Sequence, residues 1–227
     1  MDLQINLKPM FEWQKQCFAE FETAIAEGKR LLVLNTGRRS GKSDFLTRFC
    51  ILSERGVRNG GHWAYCGPSE EHVAEPRSWV RHWFAELIVG PNRQGDGFSF
   101  STGGSISFVS LSGGKIAALR GREMNGVAID EAGWIKSNLI NLLEANISPT
   151  LSLSRGPIIL ASTPKGIGND YWLLWNRAGK EGARFTGTSR MNPGFSQKEW
   201  EYRQRTLPPL VFDQEMNAQF VDATGGC

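Results

Sequence analysis

Long apolar runs are missing from this sequence. No stretch approaches the eighteen or so residues of a membrane span, and the first residues lack the basic region and short apolar block of an export signal. A soluble protein that is not exported and has no membrane partner is expected. Paired cysteine motifs are also absent. Cys17, Cys50, Cys66 and Cys227 fall at spacings that match no zinc or redox pattern, and Cys50 and Cys66 lie in apolar runs, as reduced, buried thiols of a cytosolic protein do. Histidine is scarce, and the ten-residue spacing of His62, His72 and His82 fits no metal site. Strong charge is lacking too. With 26 basic and 23 acidic side chains the net charge is +3 and the pI about 8.7, which excludes a histone-like field and leaves only local contacts for any nucleic acid. No internal repeat or low-complexity tract occurs.

What is present is a chain of 227 residues, 40% apolar, enough for one substantial core and a small appendage. Phe11, Phe18, Phe21 and Ile25 recur at helical spacing and stop at Gly28, whereas residues 31–35 form a short, wholly apolar strand. A helix after Lys42 is expected to end near Gly56, followed by a strand over 62–67. Residues 69–90 read as a helix with a serine cap, an acidic first turn and a kink or break at Pro76. The alternation in 97–111, centred on Thr-Gly-Gly, predicts a β-hairpin added to the main sheet. Residues 126–130 and 157–162 are apolar runs bounded by turn residues, as in central parallel strands covered on both faces. Trp172 and Trp175 fall on a helix as packing residues, and 196–207 forms another helix. Strands alternating with helices in this way predict a three-layer α/β domain.

The stretch 34-LNTGRRSGKS-43 leaves a strand through a glycine-containing loop and enters a helix at Gly-Lys-Ser. That order wraps backbone N–H groups around phosphates at a helix N-terminus, so Thr36, Gly37, Arg38, Arg39, Ser40, Gly41, Lys42 and Ser43 are candidate nucleotide contacts. Lys42 would reach the β- and γ-phosphates, and the Ser43 hydroxyl would bind Mg²⁺. The usual spacing wants glycine at position 36; here it comes one place later, at Gly37. A second signal is 126-GVAIDEA-132, where two carboxylates end a buried strand at a cost that a cation or substrate would offset. Asp130 would hold Mg²⁺ through water, and Glu131 would orient and deprotonate an attacking water. A third is 159-ILASTPKG-166, which offers Ser162 and Thr163 as sensors of the γ-phosphate, although Ser-Thr-Pro also makes an ordinary turn.

Together with 214-QEMNAQF-220, these motifs resemble, in order and spacing over nearly the whole chain, the ATPase domain of the large terminase subunit of tailed bacteriophages. That resemblance implies a P-loop NTPase with a mostly parallel central sheet, a RecA-like strand arrangement with a catalytic glutamate, and a small C-terminal lid. The core would span residues 1–190 and the lid with the start of a linker 191–227, with the family's nuclease domain absent. It implies a Mg²⁺-dependent ATPase, without nuclease activity, that moves double-stranded DNA into a capsid in the cytoplasm of an infected bacterium. Partners would be DNA held weakly and without sequence preference, further copies in a ring on the capsid portal, and the small terminase subunit. Arg38 matches the family's phosphate-loop arginine, with Arg39 bracing it. Gln14 matches its adenine-contacting glutamine, or is simply a polar residue on an amphipathic helix. Arg120 is similar to the arginine some terminase motors insert into a neighbouring subunit's site; Arg122 is its rival. One motor half of a helicase, or a nucleotide-dependent switch, would share part of this pattern.

Overall fold

The computed structural model describes residues 7–135 and 138–222. Its centre is an eight-stranded sheet, ordered β3-β4-β5-β2-β6-β7-β1-β8. Six strands are mutually parallel: β1 (Leu31–Thr36), β2 (His62–Gly67), β5 (Ser105–Ser110), β6 (Gly126–Ile129), β7 (Ile158–Ser162) and β8 (Ala183–Gly187). The hairpin strand β4 (Gly97–Phe100) runs antiparallel to β5, and β3 (Ile88–Pro91) antiparallel to β4. The expected hairpin is thus present, and β5 carries it into the main sheet beside β2.

Alternation along the central strands divides two apolar layers. Leu32 and Leu34 of β1, Trp63 and Tyr65 of β2, and Ile159 of β7 face α1 (Glu12–Ala26), α2 (Lys42–Leu52) and α3 (Glu70–Trp83), which contribute Phe21, Phe45, Phe49, Val73 and Val80. Val33, Ala64, Cys66, Val127, Ile129 and Leu160 face the other way, toward the irregular helix that starts as α4 (Leu139–Leu142) and toward α5 (Asp170–Glu181). A sheet covered on both faces requires near-continuous apolar strands, and β1, β6 and β7 have them. Cys17, Cys50 and Cys66 are free and buried as expected, while Cys227 lies outside the described residues.

The expected helix over residues 69–90 stops short of residue 90, and it does not break at Pro76. Helix α3 continues through Pro76 to Trp83, and the chain then turns through Ala85–Leu87 into β3. Proline has no N–H to give, but Arg77, on the same helix, reaches Glu70 and the Phe108 carbonyl, and Pro76 itself is buried against the core. The β-branched pair Ile88-Val89 then favours an added strand over a further helical turn. Helix α2 likewise stops at Leu52, short of Gly56, where Ser53 turns extended. The C-terminal part forms α6 (Gln197–Thr206), close to the expected 196–207, and a further helix α7 (Pro209–Glu215).

The topology fixes where chemistry can occur. Strands β1 and β6 flank β7, so the loops leaving all three meet at the carboxyl edge of the sheet. Register places Asn35 opposite Ser162 and Ile129 opposite Leu160, which brings the phosphate loop, the Asp130-Glu131 pair and Ser162 to one level.

Candidate nucleotide site

The loop from Thr36 to Gly41 is held by its own side chains. Buried Thr36 ends β1 and receives the Ser40 hydroxyl at 2.8 Å, which closes the loop from within. Gly37 cannot carry a side chain, because a Cβ there would lie 2.5 Å from the Met216 carbonyl oxygen and from Ser189 Oγ. The glycine therefore stands one place later than the usual pattern for a steric reason supplied by the C-terminal segment. Arg39 adopts φ 58° and its carbonyl accepts from Asn192 Nδ2 at 2.7 Å, and Gly41, at φ 99°, turns the chain into α2. The first amides of α2 then face the loop mouth, where the helix dipole favours an anion.

Lys42 and Glu131 form the centre. Lys42 Nζ lies 2.8 Å from Glu131 Oε1 and 3.5 Å from Thr163 Oγ1. Glu131 departs from strand geometry into the left-handed region at φ 50°, a strained conformation for a residue with a side chain, closed by a hydrogen bond from Trp134 N to its carbonyl. That turn aims its carboxylate at Lys42. Ser162 Oγ approaches the second Glu131 oxygen at 3.4 Å while donating to the Thr163 carbonyl at 2.8 Å. Lys165 Nζ stands 3.6 Å over the Trp134 ring and ties the loop after β6 to the loop after β7.

Asp130 is buried beside this pair. Its Oδ2 accepts hydrogen bonds from the Ser43 hydroxyl at 2.5 Å and the Tyr65 hydroxyl at 2.7 Å, and its Oδ1 accepts from Glu131 N at 2.9 Å. Burial pushes the carboxyl above its ordinary value and the Glu131 charge adds to the rise, against the pull of Lys42, Ser43 and Tyr65. Burial, then Asp130, also pushes the Tyr65 phenol up, so it remains a donor. Among the described residues no three His, Cys, Asp or Glu side chains gather as a metal cage. The adjacent hard oxygens of Ser43 and Asp130 suit Mg²⁺ held directly by the Ser43 hydroxyl and through water by Asp130.

Several predicted residues occupy less expected settings. Arg38 Nε lies 3.0 Å from Glu215 Oε2 at the end of α7, close in distance but not aligned as a hydrogen bond; the firmer tie is Arg38 N to the Glu215 carbonyl at 2.7 Å. Gln14 is 1% exposed, and its amide is fully engaged: Nε2 donates to the Gly41 carbonyl and Asp44, and Oε1 accepts from Phe11 N. It braces the phosphate loop. Arg120 and Arg122 lie between the carboxyl end of β5 and the amino end of β6, after the chain has crossed back from the phosphate-loop edge. Arg122 is paired with Asp96 at 2.8 Å and half-spent on Ser107, whereas Arg120 is exposed and touches Asn146 at 2.9 Å. Sequence reasoning missed Tyr65, Glu215, Glu199 and Arg203. A cavity of about 370 Å³ is lined by Arg38, Arg39, Lys42 and Glu131 on the core side and by Phe195, Glu199, Arg203 and Met216 on the other.

No known family model matches the chain. Over 119 aligned residues it is 33% identical to the large terminase subunits of Thermus virus P23-45 and Thermus phage G20c, a stretch covering 45% of this chain and 24% of each relative. Over that stretch the chain is similar to the phage large terminase subunits, and it spans about a quarter of their length. Its fold is that of their ATPase domain: the large terminase ATPase domain of Thermus phage P74-26 superposes with a TM-score of 0.67 at 20% identity, covering 96% of both chains. The large terminase of a thermophilic bacteriophage, solved in complex with ADP, gives 0.73 at 12% identity, covering 93% of this chain and 54% of that one. That of bacteriophage HK97 gives 0.69 at 13%, covering 93% and 51%.

Within this terminase fold the buried Asp130 carries a stability consequence. Its folded value is raised, so its contribution is fully present below the ordinary aspartate value, about 3.9, and is lost as pH rises through the folded value. Asp130→Asn should therefore melt higher than the parent at neutral pH without nucleotide, and the gain should shrink toward about pH 4. Thermal melts across pH test this; a lower melting point for the Asn variant at pH 7 would show that the Ser43 and Tyr65 bonds outweigh burial.

Proposed function

We propose that this chain binds ATP with Mg²⁺, hydrolyses it, and uses the cycle to drive double-stranded DNA into a phage capsid. The observation that carries the proposal is the convergence of Lys42, Glu131, Ser43 and Asp130 at the carboxyl edge of β1 and β6. Phosphoryl transfer asks for placed charge more than for covalent chemistry, and this arrangement supplies it.

The loop amides and Lys42 would bind the β- and γ-phosphates, with Thr36, Gly37, Arg39, Ser40 and Gly41 shaping the cradle. Ser43 would hold Mg²⁺ directly and Asp130 through water, and Mg²⁺ when bound would neutralise phosphate charge. As Lys42 turns to phosphate it releases Glu131, whose freed carboxylate takes a proton from water. The water oxygen forms the new bond to the γ-phosphorus, and the bond to the β–γ bridging oxygen breaks. Ser162 and Thr163, within reach of Glu131 and Lys42, would report the γ-phosphate to the sheet. Arg38 would leave Glu215 for the phosphates, which links the loop to the segment 191–227 that we assign as lid and start of a linker. Gln14 would act on the base only by giving up bonds to the loop, so its first role is to hold Gly41. Glu131→Gln should keep Mg-ATP binding and lower turnover by about a hundredfold or more, since the amide keeps shape but accepts no proton. Turnover near that of the parent would show that Glu131 is not the base.

The placement of Arg120, exposed and away from its own phosphate loop, favours action on a second copy in a ring on the capsid portal. Arg122, held by Asp96, does not have that freedom. Mixing Arg120→Ala with Glu131→Gln should restore activity that neither shows alone, because the second donates its arginine to the first. Mixing without gain, in a preparation shown to be assembled, would remove Arg120 from this role. Contacts to DNA should be weak, independent of sequence and steeply salt-dependent, as phosphate contacts are; titrations at two salt concentrations yielding one affinity would contradict this. The setting would be the cytoplasm of an infected bacterium, with the small terminase subunit as a further partner.

A further inference from the structure

We propose that Arg203, on α6, contacts the terminal phosphate of the bound nucleoside triphosphate and is held in reserve by Glu199. The inference rests on the reading of this cavity as the ATP site. Arg203 belongs to no motif, yet it lines the same cavity as Lys42 and Glu131, which mark the reacting end of the phosphate chain.

Charge pairing inside the cavity shows what a ligand would change. Three cations each face a carboxylate: Lys42 with Glu131 at 2.8 Å, Arg38 with Glu215 at 3.0 Å, and Arg203 with Glu199 at 2.6 Å. The three pairs offset part of a positive charge to which Arg39 also contributes, so the site favours an anion, and a triphosphate enters by replacing carboxylates as the counter-charge. Arg203 and Glu199 form the one pair of the three with both partners more than a third exposed, 38% and 36%, so water screens it and exchange is easy. A guanidinium then gains two parallel hydrogen bonds on phosphate oxygens.

The helix that carries Arg203 is suited to deliver it. None of the residues of α6 is buried, and the helix rests on Trp200 packed edge-on to Phe212, 4.9 Å between centroids, with Arg190 over the same ring. The segment leading into it is fixed to the phosphate loop by Asn192 on the Arg39 carbonyl. An element with one aromatic anchor and one tethered end shifts at little cost in buried surface. Closure of α6 would exchange Glu199 for phosphate at Arg203.

Titration of ATPγS and of ADP, each with Mg²⁺, into the parent, Arg203→Ala, Arg203→Lys and Glu199→Gln decides the matter. Arg203→Ala should weaken ATPγS by about tenfold or more and ADP by less than about threefold, the difference a charge-assisted bond to the last phosphate makes. Arg203→Lys should fall between, and Glu199→Gln should tighten ATPγS unless Arg203→Ala is also present. Equal ATPγS affinity for parent and Arg203→Ala, or equal losses for ATPγS and ADP, overturns the inference while leaving the ATP site intact. A parent that fails to bind ATPγS overturns both.

Discussion

The ion pair between Lys42 and Glu131 is the contact on which the rest of the site depends. It spans two loops whose strands are not neighbours: β7 lies between β1 and β6, so about 10 Å of sheet separates the two backbones. Only a long lysine from one side and a glutamate turned back through a left-handed conformation from the other can meet across that gap. The strain at Glu131 has its explanation here, as does the burial of Asp130, which supports the turn through its hydrogen bond to Glu131 N. Lys42 and Glu131 thus neutralise each other, and in the proposed function a phosphate would separate them.

The same economy extends outward. Arg38 rests near Glu215 and Arg203 on Glu199, so the charges that would meet a nucleotide are matched to carboxylates, two of them on the C-terminal helices. Hydrogen bonds reinforce this link: Arg38 N donates to the Glu215 carbonyl and the Asn35 side chain, through Nδ2, to the Ala218 carbonyl, while Ser189 N donates to the Met216 carbonyl within the C-terminal segment. The phosphate loop and the end of β1 are thus tied to residues 215–218, so a nucleotide bound as proposed would act directly on that segment.

Much of the centre was legible in the sequence because short motifs carry their own geometry. A buried strand followed by Gly-Lys-Ser, a strand ending in Asp-Glu and one ending in Ser-Thr-Pro each specify a loop at one sheet edge, and parallel pairing brings the edges together. What escaped reading depends on contacts distant in sequence. Nothing local in Tyr65 says that its hydroxyl meets Asp130, and nothing in Arg203 or Glu215 says that the first lines the cavity at the phosphate loop and the second lies beside Arg38. The sequence did not reveal that the Gln14 amide is engaged by the Gly41 carbonyl and Asp44 at the start of α2, since those partners lie 27 and 30 residues away. Strand β3 was hidden inside a helical pattern because Ile88 and Val89 suit either period, and only the partner strand β4 decides it.

In the proposed function ATP is hydrolysed once phosphate parts Lys42 from Glu131. Release of inorganic phosphate from ATP by the purified chain and by Lys42→Ala, each with and without Mg²⁺, tests it most directly. Phosphate should appear only with the parent chain and only when Mg²⁺ is present. Release by Lys42→Ala at the parental rate, or none from a parent shown to have bound Mg-ATP, would contradict the account.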